Sequence, residues 1–151
     1  TNYEIDDVIT FSDEKLGVGI SRDFRAVQAV TKGQSPETKP DAWEKVHSDD
    51  FVKGKALFSS LQCVQCHAIN RTGLGAKGPN LTLFGLRTSL AAGWMRNDEA
   101  SLDKWLRNSN DVKFGNLMWN GEGIDDRHPL RQLENDDEKV SQLVTYLLDL
   151  K

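Results

Sequence analysis

The sequence predicts an all-α domain that follows a long, largely irregular N-terminal extension. The segment ENDDEKVSQLVTYLLDLK at 134–151 begins with Asn135 three residues before Glu138, a spacing typical of a capping box. Its apolar residues then recur on one helical face: Val140, Leu143, Val144, Leu147 and Leu148. No strand pattern of comparable strength and no internal repeat occurs in the chain. Helices should therefore form the core.

Two more helices are predicted upstream. The stretch SDDFVKGKALFSSLQ at 48–62 opens with a capping serine and two acidic residues, and the helix should run directly into the two cysteines that follow. A shorter helix lies in NDEASLDKWLRNSN at 97–110, with Asn97 or Asp98 as its cap and an end near Asn108. Its apolar residues follow the i, i+3, i+4 spacing: Leu102, Trp105 and Leu106.

The first third of the chain has a different character. Residues 1–48 contain scattered apolar residues without a sustained period, and Pro36 and Pro40 interrupt a polar stretch near their end. A chain of 151 residues usually makes one compact domain. We therefore predict an extension or arm at 1–48 and one domain at 49–151.

Charge and hydropathy exclude two classes of partner. The net charge is −4, the estimated pI is 5.4, and acidic and basic residues are interspersed, so no basic surface for nucleic acid is expected. No apolar stretch approaches the roughly 18 residues of a membrane span, and TNYEIDDV lacks the features of a signal peptide. We expect a chain that is soluble by itself, in a processed form compatible with a lipid anchor upstream of Thr1.

The motif CVQCH at 63–67 contains both cysteines and one of the three histidines. A disulfide across two residues closes too short a loop to stabilise much. Structural zinc needs four ligands, and no second CxxC or HxxxH is present. A redox dithiol would start a helix after a strand, whereas this motif ends a helical stretch.

The fourth chemistry, covalent haem attachment, fits the motif better. On a helix, Cys63 and Cys66 are i, i+3 neighbours and His67 is i+4 from Cys63, so all three side chains share one face. The CxxCH pattern is a known signature of haem attachment. Two thioethers would use every cysteine in the chain. We therefore predict one covalently bound haem c.

The iron of such a haem takes either a second axial ligand, for electron transfer, or an open site. The chain offers four candidates for that position: Met95, Met118, His47 and His128. Met118 is favoured because its segment, NDVKFGNLMWNG at 110–121, reads as a loop after the helix at 97–110, and Gly115 permits a tight turn.

Residues 50–151 resemble class I cytochrome c. The resemblance rests on motifs in the same order: Gly54 and Phe58, CVQCH at 63–67, GPNL at 78–81, Arg87, WL at 105–106, KFGNLM at 113–118 and LVTY at 143–146. It implies the class I cytochrome c fold, electron transfer rather than enzymatic catalysis, and His67 and Met118 as the iron ligands. Gly54 is expected to let the first and last helices cross closely.

The resemblance also implies further haem-binding residues. Pro79 would accept a hydrogen bond from the Nδ1 proton of His67, Arg87 would be a buried arginine near a haem propionate, Trp105 would pack near the methionine ligand, and Trp94 would reach a propionate. Gly78 would permit the turn before Pro79. The complete predicted set is Cys63, Cys66, His67, Pro79, Arg87, Trp94, Trp105 and Met118.

Two positions depart from the family pattern. Phe114 and Ser109 stand where proline is common in the family, so the segment that carries Met118 is expected to be less rigid.

The stretch LTLFGLRTSLAAGW at 81–94, with 103–118, is similar to cytochrome c domains of membrane respiratory complexes. These include the domain fused to subunit II of some haem-copper oxidases and the monohaem subunit of alternative complex III. Residues 1–48 lack the ligands of a copper domain. The resemblance implies a subunit that passes electrons from quinol oxidation towards a terminal oxidase, on the periplasmic or outer face of the membrane, with the other subunits as redox partners.

Several alternatives stay open at this point. The chain could be a free-standing electron carrier, or a haem enzyme or gas sensor with an open distal site. The arm could lie on a partner subunit or on its own domain.

Overall fold

The computed structural model describes residue 4 and residues 8–12, 21–26, 28, 30–32, 34–36, 41, 43–45, 47–73, 75 and 77–151. Contacts within the chain group into two units, Thr1–Ser48 and Asp49–Lys151. In the described residues, no helix has the length and apolar character needed to cross a membrane.

The N-terminal unit contains a small antiparallel sheet. Its strands, in the order β1-β2-β3, are β1 (Val8–Ser12), β2 (Ser21–Ala26) and β3 (Trp43–Lys45). Phe24 pairs with Ile9 on one side and with Lys45 on the other. The sequence did not reveal these strands, because they are short and mix polar with apolar residues without strict alternation. Pro36 lies in a turn, whereas Pro40 lies outside the described residues.

The second unit is helical, and the predicted all-α class is confirmed there. Its α-helices are α1 (Asp49–Ser60), α2 (Glu99–Arg107), α3 (Ser109–Val112), α4 (Leu117–Asn120) and α5 (Asp137–Leu148). Three 3-10 helices occur at Cys63–Gln65, Phe84–Leu86 and Pro129–Asn135. The two-residue strands β4 (Ser89–Leu90) and β5 (Met95–Arg96) form a small antiparallel ladder.

The crossing of α1 with α5 is the main helix contact. A Cβ at Gly54 would lie 2.1 Å from the Gln142 carbonyl oxygen and 2.8 Å from the Tyr146 Cβ, so only glycine allows this approach. On either side of it, the Phe51 and Phe58 rings lie 5.1 Å and 5.8 Å from the Tyr146 ring. The predicted close crossing at Gly54 is confirmed.

The predicted N-terminal cap is confirmed for α2 but not for α5. Asp98, one of the two predicted caps, accepts a hydrogen bond from the Ser101 N–H at 2.9 Å and starts α2. The capping box predicted at Asn135 and Glu138 is wrong, because Asn135 belongs to the preceding 3-10 helix. Asp136 caps α5 instead and accepts from the Lys139 N–H at 3.0 Å.

Candidate functional site

The two cysteines lie in a separate turn and not on the first helix, so the predicted continuous helix is wrong. Helix α1 ends at Ser60, and Gln62 adopts a left-handed conformation with φ of 65° that redirects the chain. The 3-10 turn Cys63–Gln65 follows, and the His67 N–H donates to the Cys63 carbonyl at 2.9 Å. That last bond restores a helix-like spacing between Cys63 and His67 over a single turn.

Neither cysteine is paired in a disulfide, and both are half-buried. Burial raises the pKa of the Cys63 thiol to about 12, with the nearby Cys66 a smaller contribution in the same direction. The Cys63 thiol therefore stays protonated and brings no charge into the apolar surroundings of the turn. Among the described residues no group of three His, Cys, Asp or Glu side chains could hold a metal ion.

The His67 ring is oriented by the backbone of the next loop. Its Nδ1–H donates to the Pro79 carbonyl oxygen at 2.8 Å, which leaves the Nε2 lone pair available as a ligand. Burial lowers the pKa of His67; the bond to Pro79 opposes this shift, and the charge of Arg87 adds to it. The ring is therefore a neutral imidazole of defined tautomer near pH 7.

Only glycine fits at position 78, because the His67 ring lies against its backbone. A Cβ at this position would lie 2.5 Å from His67 Cε1 and 2.6 Å from Nδ1, so the backbone passes directly against the imidazole. The Gly78 N–H also donates to the Cys66 carbonyl at 2.8 Å, which ties the loop to the cysteine turn. The chain bends at Gly78, as expected for the turn before Pro79, although the φ of this glycine is not positive.

Met118 lies on the single-turn helix α4 and not in the predicted loop. Its thioether sulfur accepts a hydrogen bond from the Trp105 Nε1–H at 3.2 Å, so the structure brings these two predicted residues together. Gly115, three residues earlier, has a φ of 75°, the left-handed region that favours glycine. Met118, Trp105 and Cys63 are all partly buried against the same hydrophobic core.

The other candidate ligands have different surroundings. Met95 lies on β5 and packs against the hydrophobic core. His128 accepts the Leu130 N–H with its Nδ1 at 3.1 Å and so caps a 3-10 helix. His47 is exposed and belongs to the N-terminal unit.

Arg87 is exposed and not buried as the resemblance implied. Its guanidinium donates to the Asn80 carbonyl and lies 5.5 Å from the centroid of the Phe84 ring. It borders an open cleft of about 500 Å³ whose described lining is Asn70, Arg71, Asn80, Thr82, Leu83 and Arg87. This lining contains two cations and no carboxylate, so the cleft suits an anionic group.

Trp94 lies in the turn between β4 and β5 with 68% of its surface exposed. The structure therefore does not place it among the other predicted residues, and its contact with a propionate stays a prediction.

One buried acceptor near Arg87 has no donor. Asn97 donates from its Nδ2 to the carbonyls of Phe84 at 2.8 Å and Arg87 at 3.2 Å, but its Oδ1 is buried without a partner in the described part of the chain. A buried acceptor left unpaired costs about 1–3 kcal/mol. A donor from a bound group or an ordered water would remove that cost.

These observations fit a covalent haem. The chain presents two unpaired cysteines, an imidazole with its Nε2 free, a methionine sulfur and a cationic cleft. Thiol, imidazole and thioether are the groups that hold haems of the c type. The fold and the site together define a haem-binding electron-transfer protein of the cytochrome c class.

Comparison with known families leads to the same class. The family model described as cytochrome c matches residues 51–151, about two thirds of the chain. The chain belongs to the cytochrome c family. Membership implies a covalently bound haem c and electron transfer through it.

Similar curated proteins include oxidase subunits. The chain is 33% identical over 129 residues, 77% of its length, to cytochrome c oxidase subunit 2 of Bacillus sp. strain PS3, of which it covers 33%. It is 32% identical over 99 residues, 66% of its length, to cytochrome c oxidase subunit 2 of Alkalihalophilus pseudofirmus, of which it covers 25%. A cytochrome c of Theileria parva is 40% identical over 60 residues, 40% of this chain and 51% of that protein. The chain thus spans a quarter to a third of the length of the oxidase subunits.

Sequence reasoning missed the polar residues around Met118. Ser109, Asn110 and Asn116 form side-chain hydrogen bonds across this segment. The only signal was the density of asparagine in NSN and GNLM, which predicts caps and turns but not which backbone groups are bonded.

Proposed function

We propose that this chain carries one electron at a time through a single haem c that Cys63 and Cys66 would hold through thioethers and whose iron His67 and Met118 would bind. The observation that carries the proposal is the His67 imidazole, which the Pro79 carbonyl orients at 2.8 Å directly beside the two unpaired cysteines. When bound, the haem iron takes up and releases the electron.

The chain's own groups have separate tasks at this site. Cys63 and Cys66 anchor the group covalently, and the Nδ1–H of His67 stays on Pro79 and preserves one tautomer. Met118 would be the second protein ligand and would exclude water and small ligands. The Trp105 indole N–H, 3.2 Å from the Met118 sulfur, draws electron density from that sulfur and favours the reduced state.

We further propose that the chain is divided into a domain at 49–151 and an arm at 1–48, and works as a subunit of a membrane-bound respiratory complex. Electrons from quinol oxidation would pass through it towards a terminal oxidase, on the periplasmic or outer face of the membrane. Its similarity to cytochrome c oxidase subunits 2 supports this placement. The arm at 1–48, whose described residues include a three-stranded sheet, would bind a neighbouring subunit.

The haem proposal is tested by the spectra of the purified protein. We expect a pyridine haemochrome spectrum of the c type that survives acid–acetone extraction, and a sulfur-to-iron charge-transfer band in the oxidised protein. Met118→Ala should abolish that band, whereas Met95→Ala should keep it. Rapid binding of carbon monoxide to the reduced wild-type protein would refute the six-coordinate site and favour a gas sensor or haem enzyme.

The complex is tested by purification from membranes of the native host. We expect the chain to copurify with further haems and quinol-oxidising activity, and Met118→Ala to slow electron flow from quinol to the terminal acceptor. If the chain is recovered only as a free protein, it is a free-standing carrier. If electron flow is unchanged by Met118→Ala, the haem is a side branch.

A further inference from the structure

The segment that carries Met118 is bridged by a buried serine. Ser109 begins helix α3 and is completely buried. Its Oγ–H donates to the Asn116 Oδ1 at 2.8 Å. This bond links the first residue of α3 to the residue two positions before Met118. Removing the partner of a buried hydroxyl costs about 1–3 kcal/mol of folding free energy, so this hydrogen bond stabilises the segment.

The side chain of Asn116 makes three hydrogen bonds. Its Oδ1 also accepts the Trp119 N–H at 3.2 Å and so caps α4, and its Nδ2 donates to the Lys113 carbonyl at 2.8 Å. Because a backbone N–H only donates and a carbonyl only accepts, these partners determine the orientation of the amide. One side chain therefore connects the residues before and after Met118.

Asn110 holds the same segment at a second point. Its Oδ1 accepts the Gly115 N–H at 2.9 Å, in the left-handed turn, and the Asn120 Nδ2–H at 2.5 Å, at the end of α4. The two asparagines thus bracket Met118: Asn116 joins the turn before α4 to the start of that helix, and Asn110 joins the same turn to its end.

Apolar packing does little for the residues between these points. Phe114 is 92% exposed and Leu117 is 77% exposed, although both are large apolar side chains close to Met118. Burial resumes at Trp119, which is 4% exposed and has the Arg131 guanidinium 4.3 Å from its ring centroid. From Lys113 to Leu117, the segment is thus held mainly by its polar contacts.

We propose that Asn116, together with Ser109 and Asn110, is a positioning residue that holds the Met118 sulfur in its ligating place. Asn116 touches neither iron nor haem in this role, and it acts by disfavouring the conformations in which Met118 moves away. The inference rests on the proposed function, in which Met118 is an axial ligand.

The test is the affinity of the oxidised haem protein for imidazole, a probe that binds iron only when Met118 leaves. We expect Asn116→Ala to bind imidazole about tenfold more tightly than wild type, equivalent to about 1.4 kcal/mol. Amide hydrogen exchange at Gly115 and Trp119 should accelerate by a similar factor. Asn116→Asp, which keeps the accepting oxygen for Ser109 and Trp119, should restore most of the wild-type affinity.

Asp136→Ala serves as the matched control, because it removes the cap of α5 at a comparable cost, and the hydrogen bond and ion pair of Asp136 both join it to Lys139. It should leave imidazole affinity unchanged. If Asn116→Ala binds imidazole no more tightly than this control, the positioning role is refuted while Met118 ligation stands. If the wild-type protein has no sulfur-to-iron band, the proposed function itself fails. Should Asn116→Ala not fold, Ser109→Ala and Asn110→Ala each remove one anchor and are expected to raise the affinity severalfold.

Discussion

The two candidate ligands are held in different ways. His67 is positioned by backbone: the Pro79 carbonyl accepts its proton, and the Gly78 backbone passes against its ring. Met118 is positioned by side chains: the Trp105 indole donates to its sulfur, and Asn116 bridges the residues around it.

This contrast has a consequence for tolerance to substitution. A backbone carbonyl survives any side-chain replacement, so the His67 side should fail only where a new side chain occupies the space of the imidazole. The Met118 side should weaken in steps, as one side-chain contact after another is removed.

Gly78→Ala should displace the His67 imidazole from its position. The new Cβ would meet His67 Cε1 at 2.5 Å, and because Nδ1 and Nε2 also lie within 3.0 Å, the ring must be displaced. We expect a loss of about 3 kcal/mol in the unfolding free energy of the haem protein, measured with denaturant, and a low yield of covalent haem. In Gly93→Ala the Cβ meets no atom of the described residues within 4 Å, and its φ of 84° is unfavourable. That control should lose about 1 kcal/mol; equal losses in both variants would contradict a steric cause.

Arg131→Ala should weaken the contacts that hold the segment directly after Met118. Its guanidinium stacks on Trp119 at 4.3 Å and donates to the Trp119 carbonyl at 3.0 Å, directly after Met118. We expect a loss of about 2 kcal/mol in unfolding free energy. Arg127→Ala is the matched control, because its ion pair with Asp125 is exposed and should contribute little to the unfolding free energy. A loss as small as that of the control would show that the stacking contributes nothing.

Trp105→Phe should change the properties of the Met118 sulfur while leaving Met118 in place. It keeps an aromatic ring but removes the N–H that lies 3.2 Å from the Met118 sulfur. Without this donor the sulfur becomes a better ligand for oxidised iron, so the reduction potential should fall by about 40 mV, equivalent to about 1 kcal/mol. Redox titration measures this change. An unchanged or raised potential would show that the hydrogen bond does not tune the iron.

Pro79→Ala should have the smallest effect. The carbonyl that accepts from His67 remains, and only the stiffness of the ring is lost, which is expected to lower the unfolding free energy by about 0.5–1 kcal/mol. His67 ligation should persist, as judged by the low-spin absorption spectrum. Loss of the low-spin spectrum would mean that the proline ring, and not its carbonyl, orients the imidazole.

The sequence was sufficient for the helical class because α1, α2 and α5 bury apolar residues at helical spacing. It did not predict the sheet at Val8–Ser12, Ser21–Ala26 and Trp43–Lys45, since pairing between distant short strands leaves little local signal. The predicted α1 is longer than the observed helix, because the left-handed residue that follows it is Gln62 and not a glycine.

The motif CVQCH and the candidate ligand Met118 could be identified from the chain alone, because the proposed attachment and ligation depend on residue type and spacing. That Met118 lies on a helix could not. Other features appeared only in the folded molecule. The close approach of Gly78 to His67, the exposure of Arg87 and Trp94, and the bonds of Asn116 join residues that are separate in sequence. The sequence therefore determined which groups are available for the haem. Tertiary structure decided how each is held, because distances between side chains and remote backbone exist only once the helices have packed.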